Sequence, residues 1–166
     1  MTGKTHALAG ACAALALSAS GAEVVMTAFG ALLPDVDTAN SALGKHAKTF
    51  ADLLPHRGPT HSLIMLALSL FVNPWLGLGV LTHILLDLMT AKGIKLLWPC
   101  DKVMRLPFAK KNKNQGIFEK VLQIVLLVIS VAICITSIDG FFSFEFFERI
   151  WDKIAAFDYA DMIWHK

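Results

Sequence analysis

Apolar residues run through this chain in long uncharged stretches that break at a few defined points. Val121–Ile138, "VLQIVLLVISVAICITSI", holds 18 residues without a charge, bracketed by Glu119, Lys120 and Asp139. That meets the minimum length of a membrane-spanning helix. The runs Ala7–Leu33 and Ser62–Leu86 are also mostly uncharged, but the first is interrupted at "SASGAE" (Ser18–Glu23) and the second at Asn73–Pro74. Small turn-forming residues and proline end helices, so each run reads as two short helices joined in a hairpin. A helix of about 12 residues rises roughly 18 Å, well short of the hydrocarbon thickness of about 30 Å. Such hairpins enter the membrane, or pack beside it, and return.

Beyond Phe141, Phe147, Ile150, Trp151 and Ile154 follow i, i+3, i+4, i+7 spacing. This predicts an amphipathic helix lying at the interface, with a terminal helix packed on the core as the alternative. The expected fold is all-α: a membrane-embedded helical bundle of two short helical hairpins, a spanning helix and an amphipathic C-terminal helix. Its parts are a core over residues 1–100, a basic loop over 101–116, a spanning helix over 117–139 and an interfacial tail over 140–166.

Composition supports the membrane reading and limits the chain to one functional unit: 166 residues, 55% hydrophobic and only 17% charged. Charge distribution adds orientation. Residues 92–120 carry eight Lys/Arg against Asp101 and Glu119, whereas residues 140–166 carry five acids against three bases. The positive-inside rule then places the basic loop on the cytoplasmic side, in a multi-pass arrangement. "AKKNKNQG" (Ala109–Gly116) is too short, and too free of aromatic residues, to predict direct nucleic-acid binding. Cys12, Cys100 and Cys134 lack C-x-x-C spacing and read as packing residues. The first 22 residues imitate a secretory signal peptide, but this is the lesser reading, because apolar character resumes from Val24 to Leu33.

Against this background the polar residues stand out. His83 and Asp87 lie four apart on a predicted helix, hence on one face, in or beside a 25-residue stretch with no other ionisable group. An ionisable residue in such a setting is a functional candidate; a buried structural hydrogen bond is the alternative. Asp35 and Asp37 follow a helix stopped by Pro34, where a capping role is the alternative. His56 and His61 flank a Gly-Pro turn, and His6 sits at a helix start. The hairpin geometry brings His6, Asp35, Asp37, His56, His61, His83 and Asp87 to one end of the bundle, the end facing the basic loop.

Mixed imidazole and carboxylate ligands suit zinc, with manganese or iron as alternatives, and seven of them allow one or two divalent ions. An open metal site of this kind is a hydrolytic device acting through metal-activated water. Arg57 offers a planar donor fork for a phosphate, or else anchors to a lipid headgroup, and Thr60 or Ser62 orients it or caps the next helix.

The segments "KTHALAG" (Lys4–Gly10), "GALLPDVDT" (Gly30–Thr38), "HRGPTHSL" (His56–Leu63) and "GVLTHILLDLMTAKGIKLLWP" (Gly79–Pro99) resemble the YdjM-type family of bacterial inner-membrane, metal-dependent hydrolases. The resemblance covers residues 4–100 in order and spacing. It implies that His6, Asp35, Asp37, His56, Arg57, His61, His83 and Asp87 are the motif residues, and it implies an association of some members with the DNA-damage repressor LexA. More loosely, the motifs are similar to zinc-dependent phospholipases C and single-strand nucleases, helical enzymes that hydrolyse phosphodiesters.

The expected function is a membrane-bound metal-dependent hydrolase acting on a phosphoester, with Arg57 as the catalytic anion-stabilising group and a membrane lipid or lipid-linked phosphate as the natural substrate. The competing expectation is a non-enzymatic regulatory or structural membrane protein with a structural metal site, linked to the DNA-damage response.

Overall fold

The structure is a computed structural model that describes residues 1–38, 41, 58–107, 109 and 114–141. Among them are five α-helices: α1 (Gly3–Ala16), α2 (Gly21–Gly30), α3 (Leu63–Val72), α4 (Pro74–Leu88) and α5 (Gln115–Phe141). Two 3-10 turns, Pro34–Asp37 and Pro59–His61, join them to the site. The chain divides into Met1–Ser130, which holds α1 to α4 and most of α5, and Val131–Lys166, of which residues 131–141 are described as the end of α5. The C-terminal amphipathic segment expected beyond residue 141 lies outside the described residues, as does much of 108–113 within the basic loop.

Both apolar runs fold as hairpins, and local chemistry explains where each turns. Between α1 and α2 the chain bends at Leu17–Ser20, with Ser18 in the left-handed region at φ 57°. The Ser20 N–H then donates to Glu23 Oε2 at 2.7 Å, satisfying a donor at the start of α2. Between α3 and α4 the turn is a single residue. Asn73 Oδ1 accepts from the N–H groups of Trp75 and Leu76 at 2.8 and 3.2 Å, and Pro74 occupies the first helical position, where its missing donor is harmless.

Packing of α1, α2 and α4 relies on small residues. A Cβ on Gly30 would run into the Leu76 carbonyl, and one on Gly79 would run into the Thr27 carbonyl and Ala31 backbone nitrogen. The two glycines therefore let α2 and α4 approach backbone to backbone, the packing mode favoured where lipid removes the hydrophobic drive between helices. A small apolar cluster, Val80, Ile84 and Ile94, lies under Leu33, Met65 and Leu66.

Much of the remaining buried surface is polar or small, including Thr5, Ala9, Cys12, Ala14, Thr27 and Ser69. Large apolar side chains instead point outward: Val25 and Phe29 on α2, and Leu68, Phe71 and Val72 on α3, with Phe71 91% exposed. A water-soluble domain distributes these residues the other way round. Among the described residues one helix is long and apolar enough to cross a membrane, α5 through its segment Gln115–Thr136 of 22 residues, while α3 and α4 have 10 and 15 residues.

After α4 the chain doubles back. Ile94 and Met104 form an antiparallel bridge with N–H···O distances of 3.0 and 2.8 Å, and Leu63 N–H donates to the Leu96 carbonyl at 3.0 Å. The fold thereby ties residues 94–104 to the start of α3, beside the 3-10 turn that carries His61. Gly93, at φ 67°, makes the required left-handed step.

Candidate metal centre

Five of the residues singled out in the sequence meet in one place. His6 comes from α1, Asp35 from the turn after α2, His61 from the turn before α3, and His83 and Asp87 from successive turns of α4. His6, His61, His83 and Asp87 are at most 2% exposed, and Asp35 is 18% exposed, so the cluster reaches solvent on the Asp35 side. Two ligand sets share His83: His6–His83–Asp87 and Asp35–His61–His83, with the ligand atoms in each within 4.8 Å of one another.

Asp87 serves both sets with different oxygens. Its Oδ1 lies 3.6 Å from His6 Nε2, and its Oδ2 lies 3.6 Å from His61 Nε2 and 3.9 Å from His83 Nε2. Asp35 Oδ1 sits 3.9 Å from each of the latter two nitrogens. The His6 ring stacks on the His83 ring, with centroids 3.8 Å apart and planes 18° from parallel.

The protons on His61 and His83 follow from their partners. His83 Nδ1 faces the Ala31 carbonyl at 2.7 Å, and a carbonyl can only accept, so Nδ1 carries the hydrogen. Thr60 donates its single hydroxyl hydrogen to Asp37 Oδ2 at 2.6 Å. Towards His61 Nδ1, 3.0 Å away, the Thr60 oxygen is therefore an acceptor, and Asp37 Oδ2, at 3.3 Å, is another. His61 thus also holds its hydrogen on Nδ1.

The two Nε2 atoms face each other at 3.1 Å. Carboxylate oxygens surround them. The Met1 ammonium lies 3.8 Å from Asp87 Oδ1 at the His6 side of the cluster, and two nitrogens bound tetrahedrally to one zinc at ordinary bond lengths lie about 3.3 Å apart. The donor set therefore fits a divalent metal. Burial, reinforced by the nearby His61, pushes the His83 imidazole down to about 4, which keeps it neutral and ready to ligate. Burial likewise raises the Asp35 carboxyl, with His61 opposing the shift and Asp87 adding to it.

Asp37 has a different position from the other acids. It lies behind His61, on the Nδ1 side, and also accepts a hydrogen bond from Thr38 Oγ1 at 3.1 Å. There it fixes the ring and its tautomer, the carboxylate–histidine arrangement common in metal sites. His56 and Arg57 lie outside the described residues.

Thr60 and Ser62 differ from the expectation that a side chain of theirs caps α3, while the expected link to Arg57 lies outside the described residues. Thr60 links Asp37 to His61, and Ser62 Oγ donates to the Pro59 carbonyl at 2.7 Å, because the 3-10 turn points both hydroxyls back at the turn and the site. The Ala31 carbonyl is a contributor that no side-chain motif announces.

A family model described as "YdjM inner membrane protein" matches residues 1–141. The chain belongs to this family. Its YdjM-family relatives include the "Inner membrane protein YdjM" of Escherichia coli (strain K12) and that of Shigella flexneri, each 37% identical over 119 residues. The match spans 60% of this chain and 60% of each of those proteins, so the chain aligns with under two thirds of their length. The "Uncharacterized protein YvsG" of Bacillus subtilis (strain 168) is 33% identical over 153 residues, covering 81% of this chain and 92% of that protein. No solved structure matches the chain. The YdjM match runs through all five helices, and this is a membrane protein of that family.

Proposed function

We propose that this protein is a membrane-embedded metal-dependent hydrolase of phosphoesters, with His6, Asp35, His61, His83 and Asp87 as the metal ligands. The observation that carries the metal reading is the convergence of three buried imidazoles with Asp35 and Asp87, in two ligand sets whose atoms lie within 4.8 Å of one another, with the Nε2 atoms of His61 and His83 3.1 Å apart. Zinc suits three imidazoles and two carboxylates best. Two ions are supported by Asp87, whose oxygens face different imidazoles.

When bound, a divalent ion there would supply Lewis-acid activation of a water and of a phosphoryl oxygen. The chain's own residues supply the rest. Asp37 and Thr60 hold His61 in its ligating tautomer, and the Ala31 carbonyl does the same for His83. Asp35, the most exposed ligand, marks the side from which substrate enters. Arg57, close in sequence to His61, provides the planar fork that neutralises phosphoryl oxygens.

A lipid-linked phosphate is the preferred substrate. Outward-facing apolar side chains on α2 and α3 support seating the hairpins in lipid, yet 10 and 15 residues rise only about 15 and 22 Å, so α3 and α4 enter and return rather than cross. The basic segment after α4 supports a cytoplasmic orientation of the metal end. Exposed Cys100 reports this directly: in inverted inner-membrane vesicles it should react with an impermeant maleimide, and in right-side-out vesicles it should not.

The decisive test is metal content of the purified protein beside His61→Ala and Asp87→Ala, followed by hydrolysis of a phosphodiester with Arg57→Ala as the comparison. The reading expects stoichiometric zinc in wild type, none in the first two variants, and activity lost with metal retained in the third. Wild type free of transition metal would sink it. A structural metal is the second reading, favoured by the burial of four ligands to 2% or less. It expects zinc without hydrolysis, and a melting temperature that falls on chelation.

A further inference from the structure

Two polar residues on α5 take no part in the metal cluster. Glu119 and Gln123 lie one turn apart within the membrane-crossing segment Gln115–Thr136. A carboxylate in such a helix is costly to desolvate and calls for a reason. Its partners are on α1: Glu119 Oε1 accepts from the Thr2 N–H and from the Thr5 hydroxyl, both at 2.6 Å. Gln123 Nε2 donates to Thr5 Oγ1 at 2.7 Å.

The start of α1 lacks a cap of its own. Thr2 is the N-cap but its side chain caps no backbone N–H, and the first turn contains no acidic residue. Glu119 supplies both from another helix: it takes the N-cap N–H, as the glutamate of a capping box does, and places a negative charge at the positive end of the helix. Thr5, fully buried, directly precedes His6, whose ring stacks on His83 and whose Nε2 lies 3.6 Å from Asp87. Any slip of that first turn moves His6 out of the cluster.

We infer that Glu119, assisted by Gln123, is a positioning residue that couples the membrane-crossing helix to the metal centre by holding the first turn of α1, and with it His6, in place. The inference rests on reading the His/Asp cluster as a metal site. It makes α5 part of the site as well as an anchor, so that metal affinity depends on how α5 is seated.

The test uses the full chain in detergent, with Zn2+ as the probe, and compares wild type with Glu119→Ala, Glu119→Gln and Gln123→Ala. Glu119→Ala should weaken zinc binding about 10- to 100-fold in a chelator competition, the range seen when groups behind metal ligands are removed. Glu119→Gln, which keeps the accepting oxygen, should restore most of it. In metal-free protein, diethyl pyrocarbonate should label His6 several-fold faster in Glu119→Ala, with His61 and His83 unchanged.

A lower melting temperature with zinc affinity and His6 protection both as in wild type would overturn the inference, leaving Glu119 a merely structural contact. Should wild type bind no zinc, the metal reading fails by itself and His6 labelling alone decides the coupling. If Glu119→Ala does not fold, Gln123→Ala decides by the same two readouts, since it removes only one donor to Thr5.

Discussion

The α1–α4 core and α5 use apolar sequence for opposite purposes. In α5 the apolar side chains face outward along a segment of 22 residues, none of whose membrane-crossing window is buried. In the core, helices of 10 to 15 residues also turn large apolar groups outward, but they enclose Thr, Ser, Gly, His and Asp. One region is apolar over a length sufficient to cross a membrane; the other is apolar outside and encloses a polar centre. The same hydropathy therefore carries two meanings, separated by helix length and by what the buried face holds.

The largest contrast should appear in metal binding. His83→Ala or Asp87→Ala is expected to abolish stoichiometric metal by elemental analysis, whereas Val128→Ala on α5 should leave it unchanged. Introducing a charge tests how far the two regions share an environment. Val128→Lys should cost about 2.5–3.5 kcal/mol of insertion free energy and deplete the membrane fraction. Phe71→Lys should cost a comparable amount if α3 sits in lipid; a negligible effect there would confine the membrane contact to α5 and break the parallel.

A smaller effect is expected from Gly79→Ala. Its new Cβ meets the Thr27 and Ala31 backbone, so α2 and α4 must separate, at about 1–3 kcal/mol read from unfolding midpoints. Thr60→Val should leave the fold in place but cost roughly tenfold in zinc affinity, because Asp37 and His61 lose their link.

The shallowest dependence should be on pH in metal-free protein. His83, depressed from 6.5 to about 4, binds a proton more readily when unfolded, so it contributes stability that is present above 6.5 and lost as pH falls towards 4. Asp35, raised above 3.8, acts in the opposite sense, losing stability as pH rises through its folded value. The two slopes offset. Asp35→Asn should steepen the rise in stability with pH above 3.8, and an unchanged slope would count against the burial of Asp35 as its cause.

Much of this architecture was legible in the residue pattern. The "SASGAE" and Asn-Pro interruptions marked both hairpin turns, because capping and proline chemistry act locally, and hairpin geometry then gathered the polar ends of the runs. The different station of Asp37 was not legible. Asp35 and Asp37 are equivalent in spacing and type, and a 3-10 turn decides which one faces the cluster and which one stands behind His61. Thr60 looked like a cap for the same reason: its hydroxyl chemistry suits both roles, and only the direction of the turn selects one.

By itself the sequence determined the all-α class, the hairpin boundaries, the length of α5 and the ligand-type residues available to a metal, since periodicity, turn chemistry and composition are properties of neighbouring positions. Tertiary structure decided which nitrogens face one another, that the Ala31 carbonyl fixes the His83 tautomer, and that a carboxylate on α5 caps α1. Those facts depend on backbone groups and on residues more than a hundred positions apart, as Thr5 and Glu119 are, and the Ala31 carbonyl reaches His83 where Gly30 and Gly79 let α2 and α4 pack backbone to backbone.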